Sequence, residues 1–322
     1  MPPVYHSSIL LYTALEGAQL NIVHLERAYL IDTHLAGAYL VNAHLAGAHL
    51  SYAHLEGAHL SFAYLEGAYL DRAHLEGAKL YVVHLEGAHL DRAHLEGADL
   101  RSSFFDSATK LDDVFLSNDQ YGSISLTDIH WDDVNVAVVD WSSLSVLGDE
   151  YKAREQNNYD GKLKDKPRQF NDYRVAVRAY RQLSVVLRNQ GLNEDAARFA
   201  YRAQMLQRTV FRLQEGARSK VQYLFSLFLD LLAGYGYKPW RSFLAYLLVI
   251  GIFAALYFYL GAHLAWNEAI VISMTAFHGR GFFPNQFHPG DPQALVAAIE
   301  ALVGLLIEVT FIATLTQRLF GK

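Results

Sequence analysis

Residues 51–70 read SYAHLEGAHLSFAYLEGAYL, a five-residue repeat that decides the fold of the N-terminal part of the chain. Leucine recurs at every fifth position from Leu10 to Leu100, and a small or β-branched residue lies two positions before each leucine. An α-helix would spread such leucines around its circumference, and a strand would send alternate ones to opposite faces. A solenoid with four five-residue sides per coil points all of them to its axis. The repeat therefore predicts a square β-solenoid.

The repeat resembles that of the pentapeptide-repeat family over residues 9–100. This resemblance implies a right-handed quadrilateral β-helix. Bulky residues continue the pattern less regularly, as is typical of a cap that closes the last open coil of a solenoid. They are Phe104, Leu111, Phe115, Leu126, Trp131 and Trp141. We therefore predict one domain, residues 9–148, that comprises the β-helix and its C-terminal cap.

Histidine occupies the outward position before ten of the leucines. These residues are His24, His34, His44, His49, His54, His59, His74, His84, His89 and His94. Residues 20 apart should stack at about one strand spacing, ~4.8 Å. The sequence therefore predicts one histidine column, composed of His34, His54, His74 and His94, with Glu56, Glu76 and Glu96 beside it. Such a face could sense pH or bind a metal ion, or it could be a solvent-facing residue copied by repeat duplication, and we assign no metal site to it.

Charge is divided unevenly along the chain, although its net value is only −6. Residues 9–100 carry 4 basic and 11 acidic residues, whereas residues 151–241 carry 18 basic and 8 acidic residues. Acidic members of the pentapeptide-repeat family mimic DNA and bind topoisomerases, but that role gives no use to a membrane span. The basic segment lacks a nucleic-acid recognition motif. We expect it to face anionic lipid, and we expect no nucleic-acid partner.

A helical pattern begins after the cap. Residues 151–216 resemble one tetratricopeptide-like helical hairpin, with its turn at Gly191 and Asn193. One such hairpin cannot bury its apolar face alone, so we expect it to pack on the cap, on a neighbouring subunit, or on both. Residues 217–239 predict an amphipathic helix at a membrane interface. Because the N-terminus lacks a signal-peptide pattern, all of these parts are expected in the cytoplasm.

Two apolar stretches in the C-terminal part predict membrane-spanning helices. Ser242–Ala262 holds 21 uncharged residues, which as a helix would cover ~31 Å, about the thickness of a bilayer core. The second stretch, Gln293–Thr316, is interrupted by Glu300 and Glu308. Basic residues precede the first stretch and follow the second. The pattern predicts a multi-pass protein of the cell membrane with both termini in the cytoplasm.

The segment between the two stretches predicts a re-entrant loop, residues 267–284. A short apolar run ends in a glycine-flanked turn, and irregular backbone at membrane depth is tolerated only where it is buried in protein or lines water. Residues 234–322 resemble the two-helix potassium-channel superfamily. In that comparison Gly279-Arg280-Gly281 falls at the filter Gly-Tyr-Gly, with Thr275 in the pore helix, and Gly304 falls at the inner-helix hinge. The resemblance implies a tetrameric pore formed by residues 240–322.

The filter departs from the pattern of that superfamily, because Phe277-His278-Gly279-Arg280-Gly281 stands where potassium channels have Thr-Val-Gly-Tyr-Gly. Potassium selectivity is therefore not expected. Arg280 would favour anions if it faces the pathway, or it could pack behind the filter and pair with Glu300. Glu308 would favour cations if it lines the pore. Anion or non-selective conduction is slightly favoured.

Two functions fit the sequence. The first is a tetrameric ion channel whose cytoplasmic β-helix gates the pore or docks a ligand or protein of unknown identity. The second is a membrane-tethered β-helix scaffold that conducts nothing. In both cases membrane lipid is a partner, and permeant ions are a partner in the first case only. No enzyme is expected, since the sequence offers no nucleophile with a base, no phosphate loop, no HExxH-like spacing and no cysteine, and no cofactor is expected either.

Overall fold

The computed structural model describes residues 14–157, 161–260, 264–279 and 291–320. The chain divides into two compact units, Met1–Gln214 and Glu215–Lys322. Arg280 and the rest of the predicted loop up to residue 284 lie outside the described residues. Each unit is described below by itself.

The first unit begins with a four-sided β-helix, which confirms the fold predicted from the five-residue repeat. Short parallel bridges join residues 20 apart, from Ala14 and His34 up to Lys79 and Asp99. The amide of Leu55 donates to the carbonyl oxygen of His74 at 2.7 Å, and equivalent bonds repeat along every side. Each coil therefore contains 20 residues, with five residues on each side.

Leucine and alanine fill the axis of this β-helix. Every leucine of the repeat between Leu30 and Leu100 is at most 2% exposed, and so is the small residue two positions before it. The inward positions predicted from the sequence are therefore the buried ones. Removal of this continuous apolar stack from water is the main force that holds the coils together.

The corner of each side requires an unusual backbone conformation. The residue two positions after each leucine has a positive φ, for example 64° at Gly57 and 56° at Val82. Glycine adopts this conformation at little cost, whereas a residue with a side chain is strained there, most of all a β-branched one. In the regular coils glycine occupies alternate corners, and the corners between them carry side chains.

The regular register ends near Leu100. Asp99 pairs with Ser125 and Phe104 pairs with His130, so this coil contains 26 residues instead of 20. Four short strands occur in this region: β1, Phe104–Phe105; β2, Ser117–Asn118; β3, Gly122–Ser123; and β4, His130–Trp131. Strand β1 pairs with β4 in parallel, and β2 pairs with β3 as an antiparallel hairpin. Trp141 closes the solenoid, since its ring is buried and its Nε1 donates to the carbonyl oxygen of Val136 at 2.9 Å.

Three helices follow the cap within the first unit: α1, Gly148–Arg154; α2, Lys166–Asn189; and α3, Asn193–Leu213. Helices α2 and α3 form the hairpin, and the turn between them contains Gly191. The hairpin packs on the cap, which is one of the two positions that its sequence allows. The Tyr180 hydroxyl donates to Oε2 of Glu150 at 2.7 Å and accepts from the Leu147 amide at 2.8 Å. Burial raises the pKa of Tyr180 far above its ordinary value, and the neighbouring Glu150 charge adds to that shift.

The second unit contains four helices: α4, Ala217–Ala233; α5, Pro239–Leu260; α6, Trp266–Phe277; and α7, Pro292–Phe320. Two segments, Trp240–Leu260 and Pro292–Ala313, are long and apolar enough to cross a membrane. Only 11% and 22% of these segments, respectively, is buried within the chain. Most of their apolar surface is thus uncovered by this chain, unlike that of a core helix in a soluble protein. Glu300 and Glu308 leave α7 continuous.

Candidate functional site

Helix α6 is the short helix between the two long ones, and it packs on both of them. Ala269 and Ile272 are buried against Tyr257 of α5 and Ala297 of α7. At its C-terminal end Phe277 is buried in a second cluster with Ile250 and Ile307, among others. With 12 residues, α6 is about 18 Å long, which is too short to cross a bilayer core. The second unit therefore has the order long helix, short helix, long helix, with all three in contact.

A buried carboxyl group lies where these helices meet. Glu300 of α7 is 0% exposed, and the Ser273 hydroxyl of α6 lies 2.5 Å from its Oε1. The same hydroxyl lies 3.0 Å from the carbonyl oxygen of Ile250 in α5, and Tyr257 of α5 also forms a hydrogen bond with Glu300. Among the described residues Oε2 of Glu300 has no hydrogen-bond partner. Glu300 therefore connects three helices through polar contacts in an otherwise apolar interior.

Four of the residues predicted for the pore loop lie at the C-terminal end of α6. The Thr275 hydroxyl bonds to backbone oxygens of its own helix, Val271 at 3.0 Å and Ile272 at 2.9 Å. The Phe277 ring is buried, and His278 and Gly279 are exposed. The other two, Arg280 and Gly281, lie outside the described residues, and so does the pairing of Arg280 with Glu300 that the sequence suggested.

The predicted hinge residue Gly304 makes a close helix contact. A Cβ atom at this position would collide with the backbone carbonyl of Phe277, the last residue of α6. Gly304 therefore lets α7 approach the end of the short helix more closely than any residue with a side chain would. The structure thus brings Gly304 together with the loop region that the sequence predicted to form the filter.

Glu308, the other predicted acidic residue of α7, faces the end of α6. Its Oε1 lies 3.4 Å from Nε2 of His278, whose Nδ1 lies 2.8 Å from the Met274 carbonyl oxygen. Both side chains line a groove of about 410 Å³ beside Tyr246 of α5. The sequence placed Glu308 and His278 in one pore but did not predict their contact.

One face of α7 is apolar and uncovered. Residues spaced three or four apart are more than 45% exposed, and they are Leu295, Ile299, Leu302, Leu306 and Val309. The opposite face carries the buried residues Ala297, Glu300, Gly304 and Ile307. This uncovered face is available to lipid or to another subunit.

The histidine column of the β-helix is present as the spacing predicted. The rings of His34, His54, His74 and His94 stack in order, with centroids 4.8–4.9 Å apart and planes within 7° of parallel. The Phe115 ring of the cap region stacks on His94 at 4.5 Å. Nδ1 of His54, His74 and His94 lies 2.9–3.3 Å from the carboxylate two residues further along.

The model of the pentapeptide-repeat family matches residues 24–61, 58–83 and 80–118, with eight copies of the repeat. A pentapeptide-repeat protein of known structure from Nostoc PCC 7120 is 33% identical and is covered over 84% of its length. The chain belongs to the pentapeptide-repeat family. The family match covers the N-terminal β-helix of this pentapeptide-repeat protein, and helices α4 to α7 lie outside it.

Other solved pentapeptide-repeat proteins are similar over the same part of the chain. One, from the thylakoid lumen of Arabidopsis thaliana, is 18% identical, with 42% of this chain and 82% of that one covered and a TM-score of 0.30. Another, Rfr23 from the cyanobacterium Cyanothece 51142, is 31% identical, with 34% and 65% covered and a TM-score of 0.23. The Nostoc protein covers 29% of this chain, with a TM-score of 0.17. None of the curated proteins matches the pentapeptide-repeat protein described here.

Two polar residues of the second unit were missed by the sequence reasoning, Ser273 and Tyr257. Each is a hydrogen-bonding residue within a strongly apolar helix, and each contacts Glu300. A hydroxyl in such a segment is a usable signal, because polar side chains inside a membrane-type helix usually contact one another. Their shared contact depends on the packing of three helices, which the spacing alone does not give.

Proposed function

We propose that this pentapeptide-repeat protein is anchored in a membrane and that several copies of its second unit form an ion-conducting pore. The observation that carries the proposal is the short helix α6, which packs between two helices of membrane-spanning length and cannot itself cross the bilayer. A chain that enters a bilayer on such a helix has to return as irregular backbone. That backbone requires protein or water around it.

The polar groups of the second unit favour the same function. Glu300 and Glu308 lie in a helix of membrane-spanning length, where ionisable residues are costly and usually serve transport or pairing. Glu308 pairs with His278 at the C-terminal end of α6, and Gly304 holds α7 against the same end. Three independent contacts thus fix the end of α6 from which the glycine-flanked turn begins.

The proposal requires an oligomer, because one copy of two long helices and a loop cannot enclose water. The uncovered apolar face of α7 offers a surface for neighbouring subunits. Fourfold symmetry is taken from the resemblance to potassium channels, as is the placement of both termini in the cytoplasm. The filter sequence differs from theirs, so we propose anion or non-selective conduction.

A second candidate function is a membrane-tethered scaffold. The histidine column and the rows beside it form a regular rigid face that could bind a protein partner, and α5 and α7 would then serve only as anchors. This function needs no oligomer and no water-lined loop. It predicts that the loop can be removed without loss of assembly or partner binding.

Conduction can be tested with the full-length chain, purified in detergent and reconstituted in liposomes. We expect salt-dependent ion flux and an oligomer by native mass spectrometry. Replacement of Gly304 by valine should abolish flux, because it separates α7 from Phe277. The matched control is Gly251→Val in α5, where an added Cβ meets no atom within 4 Å. A monomer without flux would contradict the channel and leave the scaffold.

Selectivity has its own experiment, the reversal potential in asymmetric salt. Replacement of Arg280 by alanine should shift it towards cations if four arginines line the pathway. An unchanged potential together with unchanged conductance would place the arginine away from the permeating ion.

A further inference from the structure

Three potential metal ligands meet on the histidine column of the β-helix. Nδ1 of His74 lies 3.2 Å from Oε1 of Glu76, and Nδ1 of His94 lies 3.9 Å from the same oxygen. The ligand atoms of all three residues lie within 4.8 Å of one another. The coil produces this arrangement, because His94 is 20 residues after His74 and so stands one coil above it.

The carboxylate at the centre of this cluster is not fully paired by the protein. Glu76 is only 8% exposed, and its Oε2 is buried without a hydrogen-bond partner in the part of the chain that the structure describes. Within that part the ion pairs of Glu76 are with His74 and His94 only. A buried carboxylate oxygen without a donor is unfavourable, so the position favours a ligand that is not part of the chain.

The neighbouring coils make the same demand. Glu56 and Glu96 lie one coil below and one coil above Glu76, and each also has a buried Oε2 without a partner among the described residues. Carboxylates that recur at one strand spacing, ~4.8 Å, repel one another. A cation held between the imidazoles and the carboxylates would remove this repulsion.

We propose that His74, Glu76 and His94 bind one divalent transition-metal ion. Two imidazole nitrogens and a carboxylate oxygen suit zinc, cobalt or nickel, and Glu96 can supply a fourth ligand, since its Oε1 lies 3.3 Å from Nδ1 of His94. Ligand atoms around such an ion are about 3.4 Å apart, so His94 has to move slightly towards Glu76. Both imidazoles are about one third exposed and have room to do so.

The composition of the neighbouring columns explains why this position is the best of its kind. His84 and Glu86 form the same pair at 3.2 Å, but the rings above and below His84 are Phe104 and Tyr64. No second imidazole is therefore stacked on His84, and the His84–Glu86 pair serves as a matched control.

Two other clusters of possible ligands are less favourable. In the group of His24, Glu26 and His44, the Glu26 side chain is 44% exposed and stays hydrated. The group of Asp71, His89 and Asp91 contains only one imidazole. Both clusters are the same in every protein compared in the test, so any difference in binding reports on Glu76.

The test is titration of the chelator-treated full-length protein in detergent with Co²⁺, followed by visible absorption and by calorimetry. The proteins are the parent, Glu76→Gln and Glu86→Gln. We expect the parent to bind one Co²⁺ most tightly, with the visible bands of nitrogen and oxygen ligation. Glu76→Gln should lose that site by more than tenfold in affinity, and Glu86→Gln should bind as the parent does.

A second variant guards against misfolding. His94→Gln removes one imidazole at the exposed end of the cluster, and its circular dichroism spectrum should match that of the parent while its Co²⁺ affinity falls. The proposal is overturned if the parent binds no Co²⁺, or if Glu76→Gln and Glu86→Gln bind it equally. This outcome is independent of ion conduction, which involves the second unit only.

Discussion

The hydroxyl of Ser273 lies 2.5 Å from Oε1 of Glu300, at the point where the short helix α6 meets the long helix α7. Both residues are buried, and the hydroxyl also reaches the Ile250 carbonyl oxygen in α5 at 3.0 Å. This contact connects all three helices of the second unit. It therefore provides a direct measure of how firmly they are held together.

Replacement of Ser273 by alanine should lower the stability of the second unit by about 1–2 kcal/mol, because Glu300 loses a partner inside an apolar interior. The measurement is thermal unfolding of the full chain in detergent. Thr275→Ala on the same helix is the control, since that hydroxyl bonds only to its own helix backbone. Equal unfolding temperatures for the two variants would show that the Ser273 contact contributes little.

Replacement of Gly304 by alanine should destabilise the second unit by about 1–3 kcal/mol, because the added methyl group collides with the Phe277 carbonyl. Gly251→Ala in α5 should be neutral or stabilise the unit by up to about 1 kcal/mol, since alanine is the better helix former and space is open there. The same unfolding measurement compares them. A Gly304→Ala protein as stable as Gly251→Ala would contradict the close contact.

The corners of the β-helix allow a paired substitution. Val82→Gly should stabilise the first unit by about 1 kcal/mol, because it relieves a β-branched residue at φ 56°. Gly57→Val should destabilise it by about 1–3 kcal/mol, although nothing lies within 4 Å of the added Cβ, since the cost is in the backbone alone. Chemical unfolding curves give both values. If neither variant shifts its midpoint, the corners carry no strain.

Acid should weaken the junction between the β-helix and the helices that follow it. Burial would raise the pKa of Asp99, but the paired hydrogen bonds from Arg101 at 2.6 Å and the Lys152 charge outweigh it, and the pKa is lowered. A carboxyl group with a lowered pKa in the folded state stabilises the protein above its unfolded pKa, about 4. That contribution is lost as the pH falls through the lower, folded value.

The unfolding temperature of the first unit should therefore drop between about pH 5 and about pH 3, and it should drop less in Asp99→Asn. At neutral pH this variant should already be about 1–3 kcal/mol less stable than the parent. Asp113→Asn is the control, because Asp113 is 71% exposed and lies 3.6 Å from Arg92. An equal loss in both variants would show that Asp99 has no special role.

The β-helix could be predicted from the sequence in detail because a five-residue period has one packing solution. It specified the buried leucines, the 20-residue coil and the stacking of His74 on His94. The wide coil that pairs Asp99 with Ser125 could not be predicted. Where leucine no longer recurs at every fifth position, the pairing depends on how individual bulky residues of the cap pack.

The second unit was predictable in outline only. Hydropathy and length gave the two long helices and the short one between them, since these depend on local composition. The contacts of Glu300 with Ser273 and Tyr257 join residues 27 and 43 positions apart on three helices. No spacing along one helix encodes such a contact, and the same is true of His278 and Glu308.

The 20-residue coil also sets the compass bearing of everything attached to its last turn. Each five-residue side carries the chain through about a quarter turn around the solenoid axis. Gain of a whole coil would lift the cap and hairpin along that axis without rotating them, whereas gain of a single repeat would swing them by about 90° relative to the histidine column. Relatives that differ by single repeats could therefore aim the hairpin in different directions while their leucine interior stays the same.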